Sequence, residues 1–289
     1  QNFPEIKFRL IVLTAVTMAF VSCKKDQTNG GDNGSGNQTN NEPQDEVITA
    51  PPTRFDAKGV VEVFGGEWCA ACPSGIEVLQ NLVSNNPDDI YGAVLHSNDD
   101  YETINYNQLF AHLGGVSSHP RGAINRSPAA NSGDQNDYVA VSMEHWGTNL
   151  NRYINKKTTI GLAIESVEDS TKMNIKVFVR GNGFDNSKSY KLTVYIIEDN
   201  ISTDNQVGKP AGFKHQMVLR GSLTNAIGDD IKLKENVTLE KEYSFSLSGS
   251  FVVDNLKILA FVNTVGGTTS DRLIHNAQQV KAGKTANWD

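Results

Sequence analysis

Two cysteines separated by two residues, Cys69 and Cys72, are the groups in this chain best suited to chemistry. A thiolate is a nucleophile, and thiols three residues apart at the start of a helix share one face within disulfide reach. Free backbone N–H groups and the positive end of the helix dipole favour the thiolate there. On this reading Cys69 is the exposed nucleophile and Cys72, one turn inward, the resolving thiol. Pro73 falls in the first turn, where a missing N–H costs least. Zinc and a plain staple are the competing readings. A zinc site wants a second Cys or His pair at ligand spacing, and histidines 96, 112, 119, 145, 215 and 275 form no such pair. No metal and no cofactor are therefore expected. A staple over so short a loop constrains the unfolded chain by only about 2 kcal/mol. A chain of 289 residues has enough core not to need it, which favours redox use.

Strand and helix patterns supply the frame that positions this pair. Val60–Phe64 is an apolar, β-branched run that reads as a buried strand, and Gly65-Gly66-Glu67 turns the chain into Trp68-Cys69. Ile76, Leu79, Leu82 and Val83 then recur at helical spacing until Asn85-Asn86-Pro87 stops the helix. Ile90–Leu95 is a second strand. Strand, helix and strand of this length make a βαβ unit with parallel pairing.

Val60–Phe64 followed by Glu67-Trp68-Cys69-Ala70-Ala71-Cys72 resembles the active-site region of thioredoxin-like proteins. The resemblance implies a cis-proline opposite the cysteines at the start of the next strand. Ser118-His119-Pro120, ahead of Arg121–Asn125, is the matching segment. Pro120 is then expected to keep the loop open for an extended peptide and to block metal capture. Trp68 and His119 are expected to line the peptide site. His119 would sit beside Cys69, either lowering its thiol pKa or remaining a water-exposed loop histidine. The sequence departs from thioredoxins proper in two places. Ala70-Ala71 replaces Gly-Pro, and Val63 stands where many members carry a buried Asp, while Glu62 should face the other way. Asn98-Asp99-Asp100 reads as a solvated loop rather than a calcium site, and Tyr106–Leu113 as the intervening helix.

Lys7 and Arg9 precede an apolar run, Leu10–Val21, too short to span a bilayer and typical of an export signal. Ala19-Phe20-Val21-Ser22-Cys23 resembles a bacterial lipobox, which implies an acylated Cys23 as the mature N-terminus. The alternative is an ordinary cleaved signal with a chance cysteine. Residues 1–22 are thus expected to be a signal peptide and 23–50, poor in apolar residues, a flexible tether. Lys24 after the cysteine resembles lipoproteins sorted to an outer membrane.

Residues 51–157 are expected to form the α/β thioredoxin-like domain, ending in a helix capped by Asp137 and running to Ile154. Beyond it the period changes to two: Met173, Ile175, Val177 and Val179; Leu192, Val194 and Ile196; Tyr243, Phe245 and Leu247; Leu256, Ile258, Ala260 and Val262. The pattern predicts an all-β, immunoglobulin-like sandwich over 158–289. His215–Arg220 and Arg272–Asn276 read there as strand residues with loop-facing tips. A net charge of -7 argues against nucleic acid and anionic lipid surfaces as partners.

Lipobox, tether, Trp-Cys-x-x-Cys-Pro region and β-rich tail together resemble the Bacteroidetes outer-membrane lipoproteins of the twenty-eight-kilodalton outer-membrane-protein (Omp) family. That resemblance implies outer-membrane residence and an adhesin or receptor role. The function expected from the residues is thiol–disulfide exchange on extracytoplasmic proteins or peptides with Cys. The alternative is a surface adhesin, receptor or accessory binding lipoprotein whose disulfide is structural.

Overall fold

Val60 to Phe64 mixes β-branched and aromatic residues without alternation, and the strand it forms is buried on both faces. The computed structural model describes residues 47–128, 139–268 and 271–288. The expected signal peptide, the expected acylation site Cys23, most of the expected tether and Asp137 lie outside the described residues. The elements begin with β1 (Phe55–Asp56), β2 (Gly59–Gly65), α1 (Cys72–Asn85), β3 (Ile90–His96), α2 (Tyr106–His112) and β4 (Arg121–Ile124). β5 (Ala140–Val141), α3 (Trp146–Leu150) and β6 (Lys157–Thr158) follow. β2 and β3 pair in parallel, with Gly59 opposite Ile90 and Gly65 opposite His96. β4 runs antiparallel on the other side of β2, with β5 beyond it.

The two faces of β2 are covered differently. Gly59 abuts Leu150 and Ile154, and Gly65 abuts Cys72, so the odd-numbered residues face α1 and α3. Phe64 meets Tyr106 and Phe110 edge-on, so the even-numbered residues face α2. The helix expected through Ile154 is shorter than its pattern suggested, with only Trp146–Leu150 α-helical. Ala140 and Val141 are drawn into the sheet edge instead, and the fully buried Trp146 donates its indole N–H to the Val141 carbonyl.

The second half contributes β7 (Ile160–Glu168), β8 (Lys172–Gly181), β9 (Tyr190–Glu198), β10 (Ile201–Thr203), β11 (Phe213–His215) and β12 (Val218–Ser222). It continues with β13 (Asp229–Ile231), β14 (Thr238–Ser246), β15 (Leu256–Thr264), β16 (Ile274–Lys281) and β17 (Thr285–Ala286). A four-stranded antiparallel sheet has the order β14-β8-β7-β17. A nine-stranded sheet has the order β16-β15-β9-β12-β3-β2-β4-β5, with β13 paired to β9. β12 is the join: it is antiparallel to β9 and parallel to β3, where Val218 lies beside Val94.

This join changes the expected division at 157/158. The sandwich foreseen over 158–289 is present as a packing of two sheets, with Ile175, Val177 and Val179 on Val194, Ile196, Ile258 and Ala260. It is not self-contained, because β9 and β15 belong to the sheet that carries the cysteine region. Their other face presents Tyr195, Ile197, Leu259 and Phe261 to the core around Phe64 and Leu109. The described residues form one compact unit.

The last residues of the expected tether are held rather than free. Thr49 N–H donates to Asn287 Oδ1 at 2.7 Å, and Asn287 Nδ2 donates to the Val47 carbonyl at 3.2 Å. Trp288 donates its indole N–H to the Thr49 carbonyl at 3.0 Å. Among the described residues, no helix is long and apolar enough to cross a membrane.

Candidate functional site

β2 ends in Gly65-Gly66, and both glycines are demanded by close approach. A Cβ on Gly66 would lie 2.8 Å from the Ser97 carbonyl, and one on Gly65 would lie 3.0 Å from Cys72 Sγ. The chain then makes a tight turn: Cys69 N–H donates to the Gly66 carbonyl at 3.1 Å, and Cys72 N–H to the Cys69 carbonyl at 3.2 Å. Cys69 and Cys72 are joined in a disulfide with their Cα atoms 5.3 Å apart. Cys72 opens α1, while Cys69 lies in the turn ahead of it. Cys69, expected to be exposed, is only 5% exposed, and Cys72 is 3% exposed.

Pro120 comes to the same end of α1. Its peptide bond with His119 is cis, and its ring lies against the first turn of the helix, 2.7 Å from where a Gly75 Cβ would stand. Trp68 is 43% exposed, donates its indole N–H to the Ser97 carbonyl at 2.7 Å, and meets the His119 ring edge-on at 5.0 Å. The partner of the imidazole is thus the indole. Burial lowers the His119 pKa, so the ring stands neutral at neutral pH and brings no positive charge to the cysteines.

Behind the cysteine loop lies a buried polar cluster. Glu67 Oε1 accepts the Thr203 hydroxyl and lies 3.7 Å from His215 Nε2. Asp99 Oδ2 accepts the Glu67 backbone N–H at 2.8 Å and pairs with His96 Nδ1 at 2.7 Å, while Oδ1 accepts the Tyr101 N–H at 3.0 Å. The His96 and His215 rings meet edge-on at 4.8 Å. Burial opposes the charge on Asp99, but the His96 contact and two backbone donors outweigh it and hold the carboxyl below its ordinary range. Burial, aided by His96, pushes His215 down to about 4. A strap completes the enclosure. Gln206 Nε2 donates to the carbonyls of Glu67 at 3.1 Å and Cys69 at 3.0 Å, and Val207 N–H donates to the Glu67 carbonyl at 2.8 Å.

The loop read as solvated therefore contains a carboxylate whose side chain is 5% exposed, and His215, read as loop-facing, is fully buried. Thr203 and Glu67 are 136 residues apart, and no local spacing reports such a pair. Glu67 itself was quoted in the motif, and its adjacency to Trp68-Cys69 was the available signal. Among the described residues, no group of three or more His, Cys, Asp or Glu is arranged to hold a metal ion.

Residues 107–286, more than half of the chain, match the family model of the outer membrane protein Omp28. The chain belongs to the Omp28 family. Its place is accordingly the outer membrane, and the lipobox ending at Cys23 fits a lipid-anchored member of Omp28. HBP35 of Porphyromonas gingivalis is similar in structure, with a TM-score of 0.67 at 20% identity over 79% of this chain and 76% of that one. Protein AGR_C_4864 from Agrobacterium tumefaciens aligns with a TM-score of 0.51 at 15% identity, over 79% of this chain and 96% of its own. At these identities the likeness is one of fold. Among curated proteins, none matches this Omp28 member.

Proposed function

We propose that this Omp28-family protein carries a thioredoxin-like module, Gly59 to about residue 157 with β12 added at its edge, and uses it for thiol–disulfide exchange. The observation that carries the reading is the meeting of three features at one end of α1: the Cys69–Cys72 disulfide, the Pro120 ring on Gly75, and the half-exposed Trp68 against His119. The parallel β2-α1-β3 crossover and the antiparallel β4 and β5 support it. Partners are extracytoplasmic proteins or peptides with Cys. They would lie along Trp68, His119 and Pro120, with Cys69 as nucleophile and Cys72 as resolving thiol. Replacing Cys72 by Ser removes the resolving thiol, so Cys69 should accumulate partner adducts, visible on non-reducing gels and lost on reduction. An absence of adducts, together with a Cys69 thiol pKa near 8.5, the ordinary value, would remove the enzymatic reading.

The near-complete burial of both cysteines, with Gln206 bonded to the Cys69 carbonyl, favours a second reading. In it the disulfide is permanent, the module is a scaffold, and the protein is a surface adhesin, receptor or accessory binding lipoprotein. That reading expects Cys69→Ser to leave binding to host surfaces intact.

A further inference from the structure

The cysteine loop is held by groups from both halves of the chain, and those from the second half bear on which redox form it favours. We propose that Gln206, at the tip of the β10–β11 hairpin, is a positioning residue for exchange. It holds the loop in its disulfide-bearing form, hastens closure of Cys72 on Cys69, and so sets the pair to pass electrons to partner disulfides. The inference rests on the exchange reading above. Gln206 is buried, and its Nε2 lies within 3.1 Å of the carbonyls of Glu67, Cys69 and Val207. The Cys69 carbonyl thereby takes two donors, this amide at 3.0 Å and the Cys72 N–H at 3.2 Å. The Glu67 carbonyl likewise takes Gln206 and the Val207 N–H, the latter at 2.8 Å. Gly208 then comes alongside Ala70: a Cβ on it would stand 3.7 Å from the Ala70 Cβ. The loop is thus gripped at residues 67, 69 and 70 by a segment more than 130 residues further along the chain.

The grip is itself braced. Thr203 pairs with Phe213 across the hairpin, and Asn205 N–H donates to Thr203 Oγ1 at 3.0 Å. Gly212 N–H donates to Asp204 Oδ1 at 2.8 Å, and Lys209 N–H to the Gln206 carbonyl at 3.2 Å. A donor fixed in advance stabilises the geometry it fits, which here is that of the oxidised loop. In exchange, Cys69, deprotonated at the moment of attack, bonds to one sulfur of the partner disulfide. The partner's S–S bond breaks, and its second sulfur takes up a proton. Cys72 gives up its proton and attacks Cys69 Sγ; the Cys69–Cys72 bond forms, and the first partner sulfur leaves and is protonated. Two electrons and two protons have passed to the partner, and a dithiol donor in the cell envelope must return them. The second attack is the step that Gln206 serves, because a loop already held in its closed form brings the two sulfurs together.

The test compares wild type with Gln206→Met, which keeps the length of the side chain and removes its donors. Each protein is brought to equilibrium in glutathione buffers, and free thiols are read by alkylation and gel shift. The variant's equilibrium constant for disulfide formation should fall on the order of ten-fold. Its mixed disulfides with partners should also accumulate with Cys72 intact, because closure is slower. Gly208→Ala keeps the Gln206 amide but strains the hairpin tip at a φ of 79°. It should lower the constant in the same direction and serves as the second variant where Q206M fails to fold. A merely structural role would weaken the oxidised and reduced proteins alike and leave the constant unmoved. Equilibria that coincide between wild type and both variants, or a constant that rises, would overturn the proposal. If Cys72→Ser traps no partner but the constants fall, the exchange function falls and the positioning stands. If partners are trapped and the constants do not move, only this inference falls.

Discussion

Glu62 and Glu67 are five residues apart in the chain, both are buried, and they end in opposite circumstances. Glu62 projects from the α2 face of β2 and is met on both oxygens: Arg126 Nε at 2.7 Å, Arg126 Nη2 at 2.8 Å and the Tyr195 hydroxyl at 2.9 Å. The guanidinium also lies over the Phe261 ring at 4.9 Å. Glu67 has one hydroxyl and a neighbouring imidazole, and around it His96 Nε2 and both nitrogens of His215 have no hydrogen-bond partner among the described residues. A carboxylate closed on a bidentate cation is a structural tie between the two halves of the chain. A carboxylate among imidazoles with open ring nitrogens leaves polar atoms unsatisfied behind the cysteine loop instead.

This contrast is sharpest where it is broken. Arg126→Met should cost about 3–5 kcal/mol, because Glu62 then remains buried without its cation. Urea denaturation measures the loss, and adding Glu62→Leu should restore most of it. A loss under about 1 kcal/mol for Arg126→Met would deny Glu62 its role as a tie.

The Glu67 side should instead reveal itself through pH. Burial holds the His215 pKa at about 4, below the unfolded value of 6.5. The unfolded chain therefore binds the proton more readily. Stability from the neutral ring is whole above pH 6.5 and drains away as pH falls through about 4. His215→Leu should accordingly lose about 2 kcal/mol less than wild type between pH 7.5 and 4.5, read from paired denaturation curves. His112 and His275, also pushed down to about 4, are common to both proteins and cancel. An equal acid loss in the two proteins would mean that His215 titrates alike folded and unfolded. The smallest expected effect is that of Thr203→Val, roughly 1.5 kcal/mol for a hydrogen bond to a buried carboxylate. A neutral result in the same denaturation experiment would show Glu67 to be held by other contacts.

How far the sequence revealed these arrangements depended on the distance over which each is encoded. The cysteine pair, the helix after it and the proline loop were legible because spacing and local periodicity specify them. β8 was legible because Met173, Ile175, Val177 and Val179 point inward while Lys172, Asn174, Lys176 and Phe178 are more exposed. β15 was read with the same alternation, and there the reading was incomplete. Its Leu259 and Phe261 are as buried as Ile258 and Ala260, the mark of a central strand covered on both sides. That unbroken apolar run was the available sign that the second half shares its sheet with the first. The Glu67 cluster left no comparable sign, since Thr203 and Gln206 bond to Glu67 across 136 and 139 residues of chain.

The stitching of Val47 and Thr49 to Asn287 and Trp288 carries one more consequence. Pro87 and Asp88, just before β3 begins, line the same cleft as Asn287 and Trp288. The cysteine loop lies at the opposite pole, beyond the far ends of β2 and β3, roughly 20 Å away for strands of this length. Val47 and Thr49 are thus fixed at one end of β2 and β3, while Trp68 stands half-exposed at the other.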